Sequence, residues 1–132
     1  MGNGTELGRV RGLGASHHGT SHWTMQRITA IANLGLITWL LVSLVTGDFG
    51  TQSAVQRWLA SPVAAVPLAL LVISAFTHIR LGLQVLIEDY AHGEGSKLFW
   101  MLLLTFFTWG GMISALFCIV KIAIGAVSHA GQ

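Results

Sequence analysis

Three long apolar runs dominate the chain, at about Ile28 to Val45, Val63 to Ile87 and Leu98 to Val127. Each can supply the roughly 20 residues that a helix needs to cross a hydrocarbon core of about 30 Å. The pattern predicts an all-α membrane protein with three transmembrane helices, at about 27–46, 62–90 and 98–127, in one anchor domain over residues 21–132. Residues 1–20 are polar and rich in Gly, Ser and His, which predicts an N-terminal tail that is flexible or ordered only by a partner. They contain no apolar core of the kind a signal peptide has. Met1-Gly2-Asn3-Gly4-Thr5-Glu6 fails the myristoylation pattern at Glu6, because that pattern needs Ser or Thr there. Insertion is therefore expected to be driven by the internal helices. There is no internal repeat.

The two connections differ. Residues 47–62 include Gln56, Arg57, Trp58, Leu59 and Pro62. They predict a short helix lying in the interface, N-capped by Thr51, with Trp58 at headgroup level. Residues 91–97, Ala-His-Gly-Glu-Gly-Ser-Lys, form a tight polar loop whose two glycines suit a helix C-cap and turn.

Composition agrees with a bilayer environment. The chain is 53% hydrophobic and 9% charged, with a mean hydropathy of +0.68, where a soluble domain carries roughly 25% charged residues. The basic side chains Arg9, Arg11, Arg27, Arg57, Arg80, Lys97 and Lys121 are scattered, which argues against nucleic acid as a partner. They act instead as topology signals. Arg9, Arg11, Arg27 and Lys97 fall on one side, while Arg57 and the snorkelling Lys121 fall on the other. This predicts a cytoplasmic N-terminus, or a matrix one in a mitochondrial membrane. Trp23, Trp58 and Trp100 fall near the expected interfaces, as belt residues do. The single cysteine, Cys118, excludes an intrachain disulfide and reads as a packing residue.

The chemistry concentrates in Thr77-His78-Ile79-Arg80-Leu81-Gly82-Leu83-Gln84-Val85-Leu86-Ile87-Glu88-Asp89-Tyr90. Ionisable residues inside a span are costly and mark function. At about 100° per residue, His78, Gly82, Val85, Asp89 and His92 share one helix face. A neutral imidazole can ligate haem iron axially, and Gly82 leaves room for a flat macrocycle one turn away. The plainer alternative is a buried histidine bonded to a helix carbonyl. Arg27, Arg80 and the inner-face histidines are candidate partners for propionates, or else anchors. Asp89 and Tyr90 close the helix about 18 Å from His78. There a phenol can bond a quinone carbonyl and a carboxylate can relay protons, or both can be ordinary helix-end residues. His78 is the one histidine well inside a span, so a bis-histidine haem would need its second ligand from another subunit. In the third helix, Gly110, Gly111, Ser114 and Ala115 form a small-residue patch for close packing.

On the residues Gln26-Arg27-Ile28-Thr29-Ala30-Ile31 and His78 to Asp89-Tyr90, the chain resembles the hydrophobic membrane anchor subunits of succinate dehydrogenase (respiratory complex II). The resemblance spans roughly residues 20 to 127. It implies that His78 is an axial ligand of haem b and that Tyr90 bonds ubiquinone with support from Asp89. It also implies that Arg27 lies near the haem propionates and the quinone pocket. A cytochrome b subunit would complete a heterodimeric helix bundle and supply the other haem ligand. The iron-sulfur and flavoprotein subunits would dock on the inner face of a bacterial or mitochondrial inner membrane. The tail, with His17 and His18, is not covered. Two alternatives stand beside this reading: a small non-redox assembly or regulatory subunit, and the anchor of a quinol:fumarate reductase.

Overall fold

The computed structural model describes residues 19–130. They form four helices: α1 (Gly19–Thr46), α2 (Gln52–Ala60), α3 (Pro62–Tyr90) and α4 (Glu94–Ala130). Three of them are long and apolar enough to cross a membrane, over Thr20–Thr46, Pro62–Tyr90 and Glu94–Gly125. The expected tail lies almost wholly outside the described residues, as do His17 and His18.

Two helices begin earlier than hydropathy alone places them. α1 starts at Gly19 and α4 at Glu94, each ahead of its apolar run. A hydropathy pattern marks only the part of a helix that meets hydrocarbon, and the helical hydrogen bonds continue into the headgroup region. At 37 residues, α4 is about 55 Å long, more than the hydrocarbon core requires. The loop between α3 and α4 therefore shrinks. α3 is closed by Ala91, whose N–H donates to Ile87 O at 3.0 Å, and the Lys97 N–H donates to Gly93 O at 2.8 Å in the first turn of α4. Gly93 serves the turn, while Gly95 sits inside α4, so the expectation of two turn glycines holds for one of them.

The short helix α2 forms with the expected N-cap. The Ala54 N–H donates to Thr51 Oγ1 at 3.3 Å, and Thr51 has extended backbone angles, as an N-cap requires. Ser61 ends α2 and begins α3, whose Pro62 occupies a first-turn position where no helical N–H is needed.

α3 is the central helix. α1 packs on one side of it and α4 on another, and among the described residues α1 and α4 do not come within 8 Å of each other, Cα to Cα. α2 lies across one end against α3 and α4. It also reaches α1 through Trp58, which stacks on Trp39 at 6.0 Å and takes Phe49 edge-on at 5.3 Å. Trp58 therefore clamps α2 to α1 and to the loop that joins them.

Little of this layer is sealed. Leu59, Ala64, Leu104, Thr29 and Thr108 are the buried side chains among the described residues, and large apolar side chains cover the outside. In lipid such exposure carries no penalty, because hydrocarbon is as apolar as leucine. Close packing occurs where glycine permits it. A Cβ on Gly111 would lie 2.6 Å from Phe76 Cε1, so α4 meets the α3 phenylalanine there, whereas Gly110 faces open space.

Candidate functional site

The seam between α1 and α3 is polar at depth. His22, Gln26, Thr29 and Asn33 follow one another at spacings of four, three and four residues, which sets them on one face of α1. Thr29, only 6% exposed, is the centre of this seam. Its Oγ1 lies 2.9 Å from Met25 O, 3.1 Å from Gln26 O and 3.0 Å from His78 Nδ1. Ser74 Oγ, one turn from His78 on α3, donates to the Thr29 carbonyl at 3.3 Å. The two helices are thus pinned at one level through both the side chain and the backbone of Thr29.

His78 is half-buried. Its Nδ1 faces Thr29, while Nε2 has no hydrogen-bond partner among the described residues. The buried polar atoms without a partner are His22 Nε2 and Asn33 Oδ1, so His78 Nε2 is accessible from outside the chain. The expected alternative, an imidazole bonded to a helix carbonyl, is not the arrangement found. At Gly82 a Cβ would meet nothing closer than Gln26 Nε2 at 3.9 Å. The chain's own packing does not require glycine there.

The seam between α3 and α4 is different. Near the α3 C-terminus it opens into an apolar groove of about 570 Å³ lined by Leu83, Leu86, Tyr90, Ser96, Trp100 and Phe107. Ligand sites fall at roughly 300–1,000 Å³. Tyr90 is 75% exposed at the groove's edge. Asp89, also exposed, projects about 100° away from Tyr90 around the helix, on the His78 face. Neighbouring residues thus address two different sides of α3.

Arg80 is separated from His78. Two residues on, it points about 200° away and lines a second hollow of about 300 Å³ with Phe76, Gln84, Thr108 and Trp109. Arg27 is exposed, its guanidinium 5.5 Å from the centre of the Trp23 ring, and Trp23 is more than a belt anchor because it holds that cation. His92 leaves the expected face, because the helix ends at Tyr90. Its Nδ1 lies 2.8 Å from Tyr90 O, where it dresses the helix end. Cys118 is exposed on α4. Among the described residues no cluster of three or more His, Cys, Asp or Glu side chains could hold a metal ion by itself.

The structure therefore joins His78, Gly82 and Asp89 on one face. It sets Tyr90 beside the α4 groove and Arg80 opposite. Thr29 and Ser74 are the residues that sequence reasoning passed over. The signal available was the stripe His22, Gln26, Thr29 and Asn33, four polar side chains on one face of an otherwise apolar helix.

Comparison with known proteins gives one consistent answer. The family model for the succinate dehydrogenase/fumarate reductase transmembrane subunit matches residues 1–123. A succinate dehydrogenase hydrophobic membrane anchor subunit of Paracoccus denitrificans is 28% identical over 119 residues, 89% of this chain and 91% of that protein. Its namesake in Rickettsia felis is 32% identical over 116 residues, 86% of this chain and 87% of that one. The Rickettsia bellii protein is 34% identical over 85 residues, 64% and 68% of the two chains. No solved structure matches significantly. With three spans, a polar seam at His78 and a match along nearly its whole length, the chain belongs to the succinate dehydrogenase/fumarate reductase transmembrane subunit family, with the hydrophobic membrane anchor subunits as its relatives.

Proposed function

We propose that this subunit holds a succinate dehydrogenase at the membrane, gives one axial ligand to a haem b through His78, and forms part of the ubiquinone-reduction site with Tyr90 and Asp89. The observation that carries the reading is the state of His78. It is a histidine at membrane depth whose Nδ1 is engaged inside the chain and whose Nε2 is open to the outside. The residues fit the group: an accessible imidazole nitrogen, and a glycine one turn away that the chain's own packing does not need. When bound, the haem supplies a one-electron carrier within the bilayer. A bis-histidine site would take its second ligand from a cytochrome b subunit, making the pair a heterodimeric bundle. For the propionates, His22 lies on the α1 face that meets His78, whereas Arg27, two residues from Thr29, points about 200° away from that seam and would reach a propionate only from the outer side of α1. Arg80 serves the α3–α4 side.

Quinone reduction takes up two electrons and two protons. The Tyr90 phenol, at the helix end, donates a hydrogen bond to a quinone carbonyl oxygen, and the Asp89 carboxylate, next in sequence on the His78 side of α3, relays a proton toward the site. The apolar groove beside Tyr90 accepts the ring or its hydrophobic tail. Electrons arrive from succinate through flavoprotein and iron-sulfur subunits docked on the inner face. In this reading the flavin and the dicarboxylate site belong to those subunits, and this chain's part is the quinone end of the reaction. The distribution of Arg and Lys supports an N-terminus on the cytoplasmic side of a bacterial inner membrane, or the matrix side of a mitochondrial one. The family description also covers fumarate reductases, so the reverse direction is a second reading. The names of the relatives favour the forward one.

The test is a Tyr90→Phe complex. Loss of a positioned proton donor costs about 10²–10⁴-fold, so succinate:ubiquinone turnover should fall at least 100-fold, while dye-linked succinate oxidation stays at the wild-type rate. Wild-type quinone turnover in that variant would refute the assignment of Tyr90.

A further inference from the structure

The Thr29 hydroxyl has one proton and three neighbours. Two of these, Met25 O and Gln26 O at 2.9 and 3.1 Å, are carbonyl oxygens that can only accept. If the hydroxyl pointed its lone pairs at them, like partial charges would face each other. The O–H is therefore directed to the α1 carbonyls, and the lone pair that remains faces His78 Nδ1 at 3.0 Å. An oxygen lone pair needs a donor opposite it. The imidazole must carry its proton on Nδ1, which leaves the Nε2 lone pair free.

The contact is well fixed. Thr29 is 94% buried, by its 6% exposure, and Ser74 holds the Thr29 carbonyl from the other helix. The chain of bonds runs from His78 Nδ1–H to Thr29 Oγ1–H to the Met25 carbonyl, and each bond polarises the next. A histidine that ligates metal through one nitrogen usually donates its other ring N–H to a fixed acceptor, which sets the tautomer and raises the basicity of the ligand.

We infer that Thr29 is a positioning residue: it holds His78 in the Nδ1–H tautomer, aims Nε2 out of the α1–α3 seam and raises its strength as an iron ligand. This rests on the proposal that His78 ligates a haem. Thr29 does not touch that group and acts only through the imidazole.

The test uses the assembled complex, with flavin content as the measure of assembly, and compares His78→Ala, Thr29→Val and Thr29→Ser. Valine keeps the shape of threonine and removes the acceptor, and serine keeps the acceptor. In Thr29→Val, haem loss to excess apomyoglobin should speed up by about 10–100-fold, the usual range for removing such a partner. The haem midpoint potential should move positive, because an imidazole without its N–H acceptor donates less to the iron and stabilises the ferric state less. Thr29→Ser should restore both values. If Thr29→Val does not assemble, Thr29→Cys takes its place, since a thiol is a weak acceptor. Wild-type potential and haem retention in Thr29→Val, with the haem band lost in His78→Ala, would overturn the inference and leave ligation by His78 standing. A Thr29→Ser complex that behaves like Thr29→Val would also overturn it, because packing alone would then explain the effect. An unaltered haem band in His78→Ala would remove the ligation reading and this inference with it.

Discussion

Two buried threonines show how differently the two sides of α3 are built. Thr108 of α4, 3% exposed, gives its hydroxyl to Leu104 O at 2.8 Å and Thr105 O at 3.2 Å. It is satisfied within its own helix and, among the described residues, makes no side-chain hydrogen bond across the α3–α4 seam. Thr29 of α1 makes the same kind of bonds backward along its helix and then receives His78 from α3. One threonine hides a hydroxyl inside an apolar contact. The other uses its hydroxyl to fix the register of two helices and the orientation of an imidazole. Interhelical hydrogen bonds in membranes are worth only about 0.6 kcal/mol on average. The polar seam is thus a modest source of stability, and its value lies in geometry. The α3–α4 side depends on shape, with Phe76 seated against Gly111 and an open groove beside Tyr90.

The two glycines on these seams give the sharpest contrast. At Gly82→Leu the added Cβ starts in ordinary contact, 3.9 Å from Gln26 Nε2, and the rest of the side chain reaches toward the place proposed for the haem. This variant should leave assembly and flavin content near wild type and remove most of the haem, measured as the haem-to-flavin ratio of the purified complex. A wild-type ratio would mean that Gly82 does not face the haem. Gly111→Ala should do the reverse. Its Cβ would sit 2.6 Å from Phe76 Cε1, and overpacking of this kind costs about 1–3 kcal/mol. The expected result is a lower midpoint of thermal inactivation in detergent with the haem-to-flavin ratio kept. The smallest effect belongs to Ser74→Ala. Removing its bond to the Thr29 carbonyl should cost about 0.6 kcal/mol, with the haem spectrum unchanged because His78 keeps its Thr29 partner. A shifted spectrum would show that backbone pinning, and not the hydroxyl alone, sets the imidazole.

Much of this architecture is legible in the sequence, for definite reasons. The spans follow from three apolar runs, and the α2 cap from Thr51 preceding a short amphipathic segment. The shared face of His78, Gly82 and Asp89 follows from helical rotation. The same rotation sends Arg80 to the opposite face, though its depth beside His78 made it look like a partner. Helix starts at Gly19 and Glu94 lie in polar sequence, where hydropathy has nothing to register. The His78 contact with Thr29 joins residues 49 apart in the chain. It depends on the relative height of two helices, which no local pattern encodes, although the polar stripe on α1 marks the face on which to look.

The decisive measurement is the reduced-minus-oxidised absorption spectrum of a His78→Ala complex that retains its full complement of flavin. With His78 as an axial ligand, the b-type band of the wild-type complex should be lost or displaced while dye-linked succinate oxidation persists. A band of unchanged position and amplitude would contradict the account and put the ligand elsewhere.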